Sequence, residues 1–160
     1  MDQFTINAMQ SADIDAISQW LVKVPLWQRY GITVEGIAAQ FKRALQGDDR
    51  LFALFLDDDP TPCGFAWCIP DGAFNRSAYL RLIGVHPEYY GHGAGSSLLQ
   101  RVEADSLDYS DELFLLVSDF NTDAQRFYQQ HGYRQIGTID GYVQPDITEL
   151  IYFKKLVAQS

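Results

Sequence analysis

The chain is 160 residues long, 47% hydrophobic and 14% aromatic, a profile that suits one folded domain and excludes a disordered or low-complexity segment. Its formal charge of −9 argues against general affinity for nucleic acid or an anionic membrane face. The charge suits a cationic partner, although solubility alone also accounts for it. At the start, MDQFTIN lacks the basic region and apolar core of a secretory signal, so a reduced cytoplasm is the expected location. Residues 3–8 then read as a first strand. Ser11 is placed to cap a helix, with Asp13 in its first turn and Ile14, Ile17 and Leu21 along one face. Pro25 ends that helix, and PLWQRYGI reads as a connecting loop. Thr33 caps a second helix in which Ile37, Phe41 and Leu45 recur every four residues until Gly47-Asp48-Asp49 stops it.

RLFALFL and CGFAWCI read as strands joined by the turn-rich DDDPTP, and NRSAYLRLIGV as a longer third strand of this group. On one strand Cys63 and Cys68 would lie about 16 Å apart on opposite faces, too far for a disulfide. Three scattered histidines, His86, His92 and His131, give no reason to expect a metal site. Leu98, Leu99 and Val102 mark a third helix. ELFLLVS, residues 112–118, has the near-continuous apolar character of a strand covered on both faces. In NTDAQRFYQQHGY, Thr122 and Gln125 have capping-box spacing. Ala124, Phe127, Tyr128 and His131 share a face, and Gly132 stands at the stop. Strands around YRQIGTI and ITELIYFKKL complete the chain, and no apolar stretch approaches a membrane span. The order β-α-α-β-β-β-α-β-α-β-β predicts an α/β fold: a mixed central sheet of about seven strands flanked by about four helices. Residues 78–118 form a βαβ unit within it.

Between the third strand of that group and its helix lies VHPEYYGHGAGSSLL, residues 85–99, with glycines at 91, 93 and 95. Alternating glycines there let backbone amides close around a phosphate at a helix N-terminus. A Walker A loop is disfavoured because no lysine follows Gly95. A dinucleotide fingerprint would need glycine at Ser96 or Leu98, although an acid, Asp119, does follow the next strand.

The stretch resembles motif A of the GCN5-related N-acetyltransferases, the GNAT family, through Val85, Pro87, Gly91, Gly93, Gly95, Leu98 and Leu99. The family's next motif is similar to Asn121, Ala124, Phe127, Tyr128, Gly132 and Tyr133, in the right order and separated by the expected helix and strand. The resemblance implies acetyl-CoA as cosubstrate, with no metal, and transfer of its acetyl group to an amine. It implies that Gly91, His92, Gly93, Ala94, Gly95 and Ser96 surround the pyrophosphate and that backbone groups of Ile83 and Val85 pair with the pantetheine amides. By the same resemblance, an N–H near Val85 stabilises the oxyanion and Asn121 contacts pantetheine or an ordered water. Tyr128 is implied as the catalytic proton donor to the departing sulfur. Local pattern alone also accommodates Tyr128 as a core residue and Asn121 as a helix cap.

Two positions depart from the family pattern. Tyr90 replaces the usual Arg or Gln before the first glycine, which leaves His92 as the nearby basic side chain. Arg81 stands where many relatives carry a glutamate, and it cannot accept a proton. Glu149, Asp146 or a water chain are the alternatives for the base. Acceptor recognition is expected from Trp27, Tyr30, Tyr142, Asp146 and Glu149, with Asp140 nearby, since aromatic faces and carboxylates favour ammonium groups. The resulting expectation is a single GNAT domain over residues 1–160 that acetylates a primary amine on a small cationic molecule. A protein N-terminus or lysine as acceptor stays open, as does a non-catalytic acyl-CoA-binding module. Homodimers are common in the family, and the apolar last strand suits one as well as a core.

Overall fold

The computed structural model describes residues 3–157. In chain order it contains β1 (Phe4–Ala8), α1 (Ile14–Leu21), α2 (Pro25–Arg29), α3 (Val34–Leu45), β2 (Arg50–Leu56), β3 (Gly64–Ala73) and β4 (Ser77–Val85). There follow α4 (Ala94–Ser106), β5 (Glu112–Ser118), α5 (Thr122–Gln130), β6 (Arg134–Asp140) and β7 (Thr148–Lys155). The seven strands form one mixed sheet in the order β1-β2-β3-β4-β5-β7-β6, antiparallel except for the β4–β5 pair. That parallel pair is the predicted βαβ unit, with α4 as its crossover. Among the described residues no helix is long and apolar enough to cross a membrane.

Each face of the sheet carries its own core. On one, Leu98, Leu99 and Val102 of α4 and Tyr128 of α5 pack with Leu80, Leu113, Leu115 and Tyr152. On the other, Ile14, Ile17 and Leu21 of α1 and Ile37 and Phe41 of α3 cover Leu51, Ala53, Phe65 and Trp67. Phe41 meets Phe65 edge-on, with ring centroids 5.3 Å apart. Side chains like these contribute roughly 1.5–3 kcal/mol each when fully buried, so the two layers hold the helices to the sheet.

Several local expectations are corrected. Gln10, not Ser11, takes the cap position, its N–H donating to Asp13 at 2.8 Å while Ser11 enters a short 3-10 turn. PLWQR is helix α2 rather than loop: α1 ends at Leu21, and Pro25 opens the next helix, where its missing N–H costs nothing. That brings the helices to five. Asn121, not Thr122, caps α5, accepting from the Ala124 N–H at 3.2 Å. β3 runs through Pro70 and Gly72 to Ala73, because the hairpin turns at Phe74 and Asn75, both at positive φ. β5 is covered on both faces but unevenly: Leu113, Leu115 and Val117 are buried on one, while on the other Ser118 is buried and Phe114 and Leu116 are partly buried. Cys63 lies ahead of β3, and both cysteines are free and belong to the same core, so they do not sit on opposite faces.

The feature that positions the site is a break in the sheet. Trp67 pairs with Leu82 and Cys68 with Leu80, leaving Arg81 as the extra residue of a β-bulge. Bulges bend a strand and sharpen its twist. β4 pairs with β5 only from Ala78 to Leu80, opposite Leu113–Leu115. Beyond the bulge β4 follows β3, and Leu116–Ser118 of β5 follows β7, so the two strands part and leave a gap.

Candidate active site

The gap exposes backbone that a continuous sheet would consume. The His86 N–H donates to the Cys63 carbonyl at 2.8 Å, and Gly84 pairs with Phe65. Polar groups of alternate residues point to opposite sides of a strand, so those of Ile83 and Val85 point away from β3 and into the gap.

The glycine loop follows at the mouth of the gap. Gly91 and Gly93 have φ of +81° and +84°, which a side chain would strain. Gly93 is the N-cap of α4, and no side chain caps the helix. The first intrahelical bond there runs from the Ser97 N–H to the Gly93 carbonyl, so the amides of Ala94, Gly95 and Ser96 have no partner within the helix. No acid lies in the first turn to offset its positive end. Gly95 has no such backbone constraint: a Cβ there would meet the Phe127 ring at 3.4 Å, an ordinary contact. His92 is exposed, its ring edge toward Tyr89.

α5 places Tyr128 on the same side of the sheet as α4, and Asn121 caps its first turn. The Asn121 carbonyl is used by the helix cap, which leaves its amide nitrogen for any ligand. Tyr128 is 6% exposed and packs against Phe127, Tyr133 and Tyr152, with no hydrogen-bond partner for its hydroxyl among the described residues. Burial alone pushes that hydroxyl above the ordinary phenol value. A thiol, near about 8.5, is a stronger acid than a phenol near about 10, so full transfer from Tyr128 to a thiolate runs uphill. Burial steepens the slope. The group therefore suits a hydrogen bond to a developing thiolate more than outright protonation.

On the opposite side of the sheet, three residues from distant parts of the chain meet. The Tyr30 hydroxyl, at the C-terminal end of α2, donates to Glu149 Oε2 at 2.5 Å and is hydrogen-bonded to the Ser118 hydroxyl. Ser118 and Glu149 are directly paired between β5 and β7, and both are buried. Burial, then the bond to Glu149, pushes the Tyr30 hydroxyl up to about 12. The rim is tied together by Gln144, which donates to the Tyr30 carbonyl at 3.3 Å, and by Arg29, 3.8 Å from Asp146 and stacked over Phe120.

The expected acceptor residues therefore divide. Tyr30 and Glu149 come together; Asp146 is an exposed partner of Arg29, 77% open to solvent. Tyr142 is 62% exposed on the β6–β7 connection, and Trp27 packs half-buried against the α1–α3 core. Asp140 accepts from Thr148 at 3.0 Å. Arg81 stacks on Trp67 and donates to Gln40. Ser118 escaped the sequence reading, since no local motif links it to residues 88 positions before it and in a neighbouring strand.

Comparison with known proteins gives a consistent outcome. The acetyltransferase (GNAT) family model matches residues 14–133. A stretch of 68 residues is 37% identical to thialysine N-epsilon-acetyltransferase of Sus scrofa, covering 42% of this chain and 40% of that protein, so well under half of that relative is spanned. An aminoglycoside 6'-N-acetyltransferase solved with coenzyme A superposes with a TM-score of 0.78 at 14% identity, covering 98% of this chain and 99% of that one. An N-acetyltransferase from Staphylococcus aureus Mu50 does so with a TM-score of 0.78 at 18% identity, covering 97% and 99%. At these identities the two structural likenesses are likenesses of fold.

Proposed function

This chain belongs to the GNAT acetyltransferase family, and we propose that it acetylates a primary amine on a small cationic molecule, with acetyl-CoA as donor. The observation that carries this reading is the gap between β4 and β5, with Tyr128 on one side of the sheet and Glu149 on the other. A ligand that spans the sheet can meet both. Acetyl-CoA supplies the thioester whose acetyl group is transferred. The residues present fit it: unpaired backbone of Ile83 and Val85 for the pantetheine amides, and uncapped amides at the start of α4 for the pyrophosphate.

On this reading Gly91, Gly93 and the amides of Ala94, Gly95 and Ser96 cradle the phosphates, and His92 adds a side-chain contact. Asn121 offers its amide nitrogen to the pantetheine. A backbone N–H near Val85 stabilises negative charge on the carbonyl oxygen. The Tyr128 hydroxyl, neutral at any physiological pH, hydrogen-bonds the departing sulfur. The acceptor approaches from the rim formed by α2 and the β6–β7 connection, toward a carboxylate-bearing wall. The whole chain acts as one acetyltransferase domain, in a cytoplasmic setting.

Arg81 at the usual glutamate position favours a second reading, a non-catalytic acyl-CoA-binding module. Thiol release from acetyl-CoA across polyamines, aminoglycosides, amino acids and short peptides separates the two. Release stimulated by an amine supports the enzyme. Silence across the panel, with acetyl-CoA binding verified in the same samples, supports the module.

A further inference from the structure

Glu149 is 4% exposed, and among the described residues no Lys, Arg or His lies within ion-pair distance of it. The nearby guanidiniums are engaged elsewhere: Arg29 with Asp146 and Phe120, Arg81 with Gln40 and Trp67. Carboxylates are rarely buried without a counter-charge, because removing the ion from water is costly. Oε2 accepts the Tyr30 O–H, while Oε1 accepts nothing among the described residues. Oε1 is not sealed in the core either; there Ser18 Oγ is the one buried side-chain polar atom without a partner among those residues. One carboxylate oxygen is thus held and the other is open.

The holding chain has a single direction. Tyr30 has one proton, which it gives to Glu149, so the Ser118 hydroxyl donates to the Tyr30 oxygen. Each bond fixes the next, and the carboxylate is set in place by groups that carry no charge. Tyr79 of β4 lies within electrostatic reach of this carboxylate, of Tyr142 and of Arg81, whose guanidinium is held by Gln40 and Trp67. Arg29 acts on Tyr30 only at a distance, so no cation of the described residues pairs with the carboxylate directly, and one from outside the protein can.

We propose that Glu149 binds the ammonium group of the acceptor, which gives up its proton to solvent water before the neutral amine attacks, with Tyr30 and Ser118 as positioning residues, so that the substrate class is an alkylamine that enters as its cation rather than a neutral arylamine. The inference rests on the amine-acetyltransferase reading above and adds to it the residue that selects the acceptor. It is tested with wild type, Glu149→Gln and Tyr30→Phe, using spermidine, L-lysine and aniline as probes. Thiol release gives KM and kcat, and calorimetry gives acetyl-CoA affinity. Wild type is expected to use spermidine or lysine in preference to aniline. Glu149→Gln is expected to raise KM for that alkylamine at least about tenfold, with kcat and acetyl-CoA affinity little changed. Tyr30→Phe, which keeps the charge and loses its holder, raises KM in the same direction by less.

An unchanged KM in a folded Glu149→Gln variant overturns the proposal. A fall in kcat at unchanged KM also overturns it, since that assigns Glu149 to proton removal instead of ammonium binding. If Glu149→Gln does not fold, Tyr30→Phe decides, and an unchanged KM there overturns it equally. Absence of amine-stimulated release by wild type is a different failure, that of the acetyltransferase reading itself.

Discussion

Replacing Tyr128 by Phe separates a working hydroxyl from a structural one. The phenyl ring keeps its neighbours, with centroids 5.2 Å from Phe127, 5.6 Å from Tyr133 and 6.4 Å from Tyr152. No protein hydrogen bond is lost among the described residues, and a poorly solvated hydroxyl is removed. Stability should therefore change by less than about 1 kcal/mol, or no more than about 2–4 °C in Tm. Turnover is different. A preorganised hydrogen-bond donor to charge that develops in the transition state contributes about 100-fold or more, so kcat should fall at least about 100-fold, about 2.7 kcal/mol of barrier. Acetyl-CoA affinity should stay within about twofold of wild type, because the hydroxyl acts on the sulfur only as it departs. Steady-state thiol release, calorimetry with acetyl-CoA and a thermal melt measure the three quantities on one preparation. Turnover within about threefold of wild type would refute the role given to the hydroxyl. A large loss of stability would show that it holds the core.

Gly93→Val forces a β-branched residue to φ +84°, at a position where a Cβ meets nothing within 4 Å, so the cost is conformational rather than steric. It should lower Tm by a few degrees, at about 1–2 kcal/mol, and weaken acetyl-CoA binding about tenfold or more; a folded variant with normal affinity would contradict the loop assignment. Alkaline pH should destabilise the fold. The hydroxyls of Tyr30, Tyr109, Tyr128 and Tyr133 all lie above the ordinary phenol value, so the native state holds their protons where the unfolded chain releases them. Their contribution is whole below about pH 10 and is lost above it, for Tyr30 as pH rises through about 12; a Tm flat from pH 9 to about 11.5 would contradict their burial. Cys63 and Cys68 are buried, with thiols pushed up by burial, so iodoacetamide should leave native turnover unchanged. Rapid inactivation would place a reactive cysteine in the gap.

The strands that pack in both period and composition were legible: RLFALFL and ELFLLVS match β2 and β5 residue for residue. The Thr33 cap was legible too, because its partner, Gly36, lies three residues away. Errors came where one residue type carries two meanings. Pro25 was read as a stop and is a start, and the strand read as CGFAWCI runs on to Ala73 before the chain turns at Phe74 and Asn75. The glycine loop and Tyr128 were visible through local motifs. The meeting of Tyr30, Ser118 and Glu149 was not, since it is created by strand pairing and by helix α2, which the sequence disguised as loop. The bulge at Arg81 was equally hidden, because a bulge is a mismatch between two strands and has no signature within either one.

Amide hydrogen exchange, measured with and without acetyl-CoA, tests most directly whether the gap between β4 and β5 holds the donor. Exchange should slow at Ile83 and Val85 and at Ala94, Gly95 and Ser96, whose amides face the gap or cap the helix without partners in the sheet or helix. Binding that leaves those amides unchanged, or that protects the Gln40, Trp67 and Arg81 surface instead, would contradict it.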